Sequence, residues 1–187
     1  MSEQQVLSDT RMSNDVSIRE FYNGFVPPRY VRGLVSRLLF SVPSKYKVGL
    51  DVVVLTNQSG APRRWRLGKV TSRKRRLPQD RVLGRYHFAH KGRPAWIELY
   101  VDKLVAGLSQ YRFVPLARTA IFAQVLFHEI GHHVHETVRP EFREKEDVAD
   151  NWGKMLMVNY FRTHYWYVPK PTWKLVALVL KAILAKP

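Results

Sequence analysis

The sequence predicts an α+β fold in which a small, mostly antiparallel sheet packs against an N-terminal helix and a later pair of helices. Three observations lead to this prediction. Apolar residues recur at helical spacing over residues 29–40, short β-branched or alternating segments occupy residues 50–101, and a long helical pattern begins at about Pro115. With 187 residues and 45% hydrophobic content, the chain can bury the core of one domain.

The N-terminal part divides into a tail and a helix. Residues 1–17 are polar and lack the basic start and apolar stretch of a signal peptide, so we expect a disordered tail and a cytoplasmic protein. Residues 29–40 then predict an amphipathic helix that ends before Pro43. Its apolar positions are Val31, Leu34, Val35, Leu38 and Leu39.

Four strands are predicted next. Leu50–Thr56 is a nearly continuous apolar and β-branched run, which is typical of a buried strand. Residues 65–71 predict a second strand, and residues 82–90 and 95–101 predict a hairpin. In the last strand apolar residues alternate with Trp96, Glu98 and Tyr100, which indicates a sheet with one packed face.

Helices fill the remainder. Asp102 can cap a short helix that reaches about Leu108, and a longer one follows from about Pro115. We expect one domain over residues 18–170 and an amphipathic C-terminal helix over residues 171–187. That helix either docks on the domain, lies on a membrane surface or contacts a partner protein.

The long helix carries the most informative motif, His128-Glu129-Ile130-Gly131-His132. Residues four apart share one helical face, so His128 and His132 can bind one metal ion while Glu129 projects toward a metal-bound water. The chain has no cysteine, which leaves His and carboxylate side chains as metal ligands and fits a reducing compartment. Gly131 costs about 1 kcal/mol inside a helix relative to Ala, and this cost indicates a close neighbour.

A catalytic zinc needs a third protein ligand, and Glu146 in the segment Glu146-Asp147-Val148-Ala149-Asp150 is the favoured candidate. On a second helix Ala149 allows a close approach, and Asp150 can accept the second ring N–H of a ligating His. The alternatives for the third ligand are His135, one turn beyond His132, and the more distant His164. His133 and His135 are otherwise expected on the surface or facing substrate.

These two motifs resemble those of the gluzincin metallopeptidases, in which an H-E-x-x-H helix precedes a helix with a ligand Glu in an E-x-x-A-D context. The resemblance extends at most over residues 82–157. It is strongest to the compact ImmA/IrrE-like peptidases, and the E-x-x-A-D form also occurs in CAAX-processing and heat-shock membrane proteases. It implies a minimal zincin-like domain, one Zn²⁺ per chain and a protein or peptide substrate extended along an edge strand.

The expected chemistry is hydrolysis of a peptide bond. Zinc would lower the pKa of a bound water, and Glu129 would take the proton of that water and deliver it to the leaving amine. The oxyanion donor is expected among Tyr160, His164, Tyr165 and Tyr167. Zinc suits this ligand set best, with iron, manganese and nickel as alternatives.

The charge distribution supports a different class of function. The net charge is +16, and residues 61–93 hold twelve Lys or Arg against the single acidic residue Asp80. Such a segment attracts nucleic acid or an anionic surface, without sequence specificity of its own. The alternative hypothesis is therefore a nucleic-acid-associated or regulatory protein with a structural or vestigial metal site.

Overall fold

A computed structural model describes residues 16–57, 69–72, 75–78, 82–90, 92–108, 111, 113–138 and 145–169. The strands are β1 Ser17–Phe21, β2 Leu50–Thr56, β3 Lys69–Ser72, β4 Arg75–Pro78, β5 Gly84–His87 and β6 Ala95–Tyr100. The helices are α1 Tyr30–Ser41, α2 Val101–Leu108, α3 Pro115–Val138 and α4 Lys145–His164, with a 3-10 turn at Ser44–Tyr46. The predicted α+β class is confirmed.

The main sheet has four strands in the order β1-β2-β6-β5. β2 is parallel to both β1 and β6, and β5 is antiparallel to β6. The prediction of a mostly antiparallel sheet is therefore wrong for this sheet. The physical reason is that α1 returns the chain to the start of β2 and β5 returns it to the start of β6, so that β1, β2 and β6 all run in one direction. The hairpin predicted from the sequence accounts only for the antiparallel pairing of β5 with β6.

The central position of β2 explains its sequence. Side chains of β2 are buried on both faces of the sheet, Val53 and Leu55 on one face and Val52 and Thr56 on the other. Burial on both faces selects a continuous apolar run rather than an alternation. β1 was not predicted, because most of its side chains are exposed and its sequence has no alternation. β3 and β4 form a separate two-stranded antiparallel sheet. The predicted tail, except for Val16 and Ser17, and the predicted helix over residues 171–187 lie outside the described residues.

One hydrophobic cluster joins the helices to one face of the sheet. The face carries the paired residues Val53 and Ile97, and Leu55 and Leu99, all of them fully buried. The long helix α3 supplies the facing side chains Ile121, Phe122, Leu126 and Ile130, also fully buried. Each such side chain contributes about 1.5–3 kcal/mol relative to an exposed one. The motif at the end of α3 is therefore held on a rigid core element.

The opposite face of β6 differs from its prediction. The alternation predicted one packed face, yet Glu98 and Tyr100 on the other face are buried as well. The Tyr100 hydroxyl donates to Glu98 Oε2 at 3.2 Å, so the buried carboxylate has a partner. Among the described residues, no helix combines the length and the apolar character needed to cross a membrane.

Candidate metal centre

The two motif-bearing helices cross in backbone contact. A Cβ atom added at Gly131 of α3 would overlap the Ala149 carbonyl oxygen of α4 and would lie 2.8 Å from the Ala149 Cα. A Cβ at Gly153 would lie 3.1 Å from the backbone nitrogen of His128. The close neighbour predicted for Gly131 is thus Ala149, and it brings the start of α4 against the motif.

His128, His132 and Glu146 converge at this crossing, with one ligand atom from each within 4.8 Å of the others. The two His Nε2 atoms lie 3.2 Å apart. Two nitrogens bound tetrahedrally to one zinc at 2.0–2.1 Å would be about 3.4 Å apart, so the two rings already have the required spacing. Glu146 oxygens lie 3.7 Å from His128 Nε2 and 3.9 Å from His132 Nε2. These three side chains can hold a metal ion.

Asp150 orients one of these rings. Its Oδ1 lies 2.9 Å from His128 Nδ1, one helical turn after Glu146. When this nitrogen donates to the carboxylate, the lone pair of His128 lies on Nε2, which faces the cluster. The geometry is the one expected from the spacing of Glu146 and Asp150.

Glu129 lies beside the cluster and is 7% exposed. The pKa of its carboxyl is raised to about 8, mainly by burial and further by the Glu146 charge. The Tyr86 backbone N–H that donates to the carboxylate and the Arg85 charge act in the opposite direction. Without a metal the carboxyl therefore holds its proton at neutral pH. A cation bound next to it would favour the ionised form, which a general base requires.

The edge strand next to the centre is β5, at the end of the sheet order. Its Gly84 lies against α3, because a Cβ there would be 2.7 Å from Val125 Cγ1 and 3.1 Å from Glu129 Oε1. The strand thus approaches the buried carboxylate closely. Sequence patterns could not identify this edge, since it depends on which strands pair.

His133 and His135 are not the surface or substrate-side residues that we expected, since both are almost completely buried. His133 Nε2 donates to the Val48 carbonyl at 2.9 Å, and His133 Nδ1 accepts from the Tyr86 hydroxyl at 3.2 Å. Burial lowers the pKa of His133, which keeps the ring neutral in this arrangement. His133 is therefore a packing residue that ties β5 to α3.

Tyr86 is the residue near the centre that sequence reasoning missed. Its backbone N–H contacts Glu129, its hydroxyl contacts His133, and its ring stacks against His132 at 6.5 Å between centroids. The sequence offers one signal for it. Tyr86 follows Gly84 by two residues and so lies on the same face of β5, the face that packs against α3.

The other candidate ligands and oxyanion donors lie elsewhere. His135 is outside the metal-binding group, and its Nε2 has no hydrogen-bond partner among the described residues. His164 and Tyr160 follow Glu146 on α4 by distances of about 27 Å and 21 Å along the helix axis, at 1.5 Å per residue. Tyr165 and Tyr167 lie beyond them. These separations along α4 do not favour the predicted oxyanion donors, and Tyr86 is a polar residue of the edge strand beside Glu129.

In comparisons with protein-family models, curated proteins and solved structures, nothing matches this chain. The finding common to sequence and structure is a group of two His and one Glu, with Glu129 and Asp150 beside it, that can bind a metal ion.

Proposed function

We propose that this chain is a zinc-dependent metallopeptidase of the gluzincin type, with His128, His132 and Glu146 as zinc ligands. The observation that carries the proposal is the convergence of these ligands beside the buried carboxyl of Glu129. A structural zinc is usually closed by four protein ligands, whereas three ligands leave a position for substrate or water. A buried carboxylate adjacent to such a position has a use in hydrolysis and none in a structural site.

The donor set suits zinc, since His nitrogens and a carboxylate are common ligands of catalytic zinc sites. Zinc, when bound, lowers the pKa of water and polarises a carbonyl group. Glu129 takes a proton from the attacking water as the carbon–oxygen bond forms, and gives it to the leaving nitrogen as the carbon–nitrogen bond breaks. Asp150 holds the His128 ring, and the Tyr86 backbone N–H holds the Glu129 carboxylate.

β5 is the strand best placed to bind an extended substrate. It lies at the sheet edge beside Glu129, and a peptide can add to such an edge through main-chain hydrogen bonds. Pairing with β5 would bring the substrate backbone past the metal centre.

The first experiment is to measure metal content by elemental mass spectrometry in the wild type and in Glu146→Ala. We expect about one zinc per wild-type chain and a large loss in the variant. Hydrolysis of a mixed peptide library is then compared between the wild type and Glu129→Gln, which should keep zinc and lose cleavage. Zinc retention in Glu146→Ala would remove Glu146 from the ligand set, and equal cleavage by Glu129→Gln would refute the assigned base.

The alternative, a nucleic-acid-associated protein with a structural metal site, is favoured by the net charge of +16. Its test is the salt dependence of DNA binding in the wild type and Glu129→Gln. Steep salt dependence, unaffected by the substitution and without any peptide cleavage, would favour this alternative over the peptidase.

A further inference from the structure

We propose that a groove next to β5 binds an acidic side chain of the substrate, and that the protein therefore selects acidic peptide segments. The hairpin groove, as we name it, has a volume of about 680 Å³. Its main lining residues are Arg85, His87, Phe88, His90, Arg93 and Trp96. The inference rests on the proposed peptidase function and adds a substrate class to it.

The polar lining of the groove is cationic. Arg85 and Arg93 carry permanent charges, and the guanidinium group of the exposed Arg93 matches the geometry of a carboxylate. No acidic side chain lines the groove in the described part of the chain. The nearby Glu98 is 3% exposed and lies under partners, with its Oε2 3.3 Å from His87 Nε2 and 3.2 Å from the Tyr100 hydroxyl. An incoming carboxylate would therefore meet cations first.

The apolar lining gives the groove a defined shape. The His87 ring stacks on Trp96 with centroids 3.7 Å apart and an interplanar angle of 1°. This stack and the Glu98 contact hold His87 in place from two sides. Phe88 is 61% exposed at the groove, so it offers an apolar wall to a bound side chain. Charges beside low-dielectric walls act more strongly on a ligand than charges on an open surface.

The hairpin groove and the metal centre meet at the β5 edge from opposite faces of the sheet. Tyr86 lines the groove and also stacks against His132. Gly84 contacts Glu129 and Phe88 follows it by four residues, which corresponds to about 13 Å along a strand at 3.3 Å per residue. Arg85 and His87 alternate with Gly84 and Tyr86 along β5, so they lie on the face turned away from α3. A peptide paired with β5 would likewise alternate its side chains between the two faces, and would place one in the groove a few residues from the bond positioned at Glu129.

A cationic and aromatic groove could also attract nucleic acid. A peptide is favoured because the groove continues an edge strand, whose main chain can pair with an extended peptide but not with a nucleic acid. The net charge of +16 would raise the association rate of either polyanion, so the test must separate the two.

The experiment uses full-length, zinc-loaded Glu129→Gln and labelled peptides that are identical except for Glu, Gln or Lys at two positions. Binding is measured by fluorescence anisotropy, with single-stranded DNA as competitor. The test variant adds Arg93→Glu, with Arg93→Gln as a milder version. The matched control adds Arg29→Glu, which makes the same charge change at an exposed position before α1.

We expect the Glu peptide to bind roughly fivefold or more tightly than the Gln peptide, as for one or two partly desolvated ion pairs. Arg93→Glu should remove this preference and Arg29→Glu should keep it. Equal affinity for the Glu and Gln peptides, or equal losses in both charge variants, would overturn the inference. Tighter binding of DNA, weakened most by Arg93→Glu, would also overturn it and assign the groove to nucleic acid.

Cleavage of the same peptides by the zinc-loaded wild type separates the two proposals. Cleavage without preference for Glu would overturn the groove inference and leave the peptidase function intact. Selective binding of the Glu peptide without any cleavage would support the groove as an acidic-peptide site and overturn the peptidase function.

Discussion

The helix crossing at Gly131 gives the sharpest prediction, because one methyl group there acts on both the fold and the metal site. In Gly131→Ala the new Cβ would overlap backbone atoms of Ala149, which cannot rotate away as a side chain can. α4 must therefore move away from α3. Ala149 lies between Glu146 and Asp150, so both metal-site carboxylates move with it.

The structure sets the size of the effect. Restoring an ordinary contact of about 3.5 Å requires α4 to move by somewhat less than 1 Å, starting from 2.8 Å to the Ala149 Cα. Metal–ligand distances in a working site stay within about 0.2 Å of their ideal values, which is less than this displacement. We therefore expect the zinc affinity to fall at least 10- to 100-fold. Overpacking costs about 1–3 kcal/mol, and about 1 kcal/mol returns from the better helix propensity of Ala. The free energy of unfolding of the metal-free protein should thus fall by up to about 2 kcal/mol.

The assay compares three Gly→Ala variants by zinc titration against a competing chelator and by thermal unfolding without metal. Gly33→Ala in α1 is the control, since no described atom beyond the adjoining backbone of α1 lies within 4 Å of its new Cβ. It should be neutral or up to about 1 kcal/mol stabilising. Gly153→Ala should be intermediate, because its closest contact is 3.1 Å. If Gly131→Ala bound zinc as tightly as Gly33→Ala, the argument from backbone contact would be refuted.

Three other substitutions test the surroundings of the site. Asp150→Asn should weaken zinc binding about 10- to 100-fold, measured by chelator competition, because the ring of His128 loses its anionic acceptor; unchanged affinity would exclude this role. Metal-free wild type should lose up to about 4–5 kcal/mol of stability as pH rises from 4.5 to 8, because the raised pKa of Glu129 favours the folded state only while the carboxyl is protonated. Metal-free Glu129→Gln should lack this component in chemical unfolding at each pH, and parallel pH profiles would contradict it. Tyr86→Phe should lower the free energy of unfolding by about 1–3 kcal/mol in the same assay, because Nδ1 of His133 is left buried without its donor. A loss no larger than that of the exposed control Tyr167→Phe would contradict this.

The sequence allowed much of the metal centre to be predicted, because its geometry is local. His128 and His132 lie four residues apart on one helix, and Glu146 and Asp150 lie four apart on another, so helical periodicity alone aligns each pair. Gly131 and Ala149 indicated that the helices would be in close contact. These features do not depend on how the sheet is arranged.

The sheet and the residues that come from it were harder to predict. Parallel pairing of β2 with β1 and β6 joins segments far apart in the sequence, and no local pattern encodes such partners. For the same reason Tyr86 was missed, since its contacts with Glu129 and His133 exist only once β5 lies against α3. His133 looked like a surface residue because polar partners for it, Tyr86 and the Val48 carbonyl, come from distant strands and turns.

The proton on Glu129 affects how the site takes up its ion. In the metal-free site an ionised Glu129 would be buried and would lie near the Glu146 charge, and both effects favour the protonated form of Glu129. The protonated carboxyl avoids both costs before any ion arrives. Loading at neutral pH then exchanges a proton for a cation. Occupancy of the centre should therefore depend on the acidity of the surroundings as well as on the supply of metal.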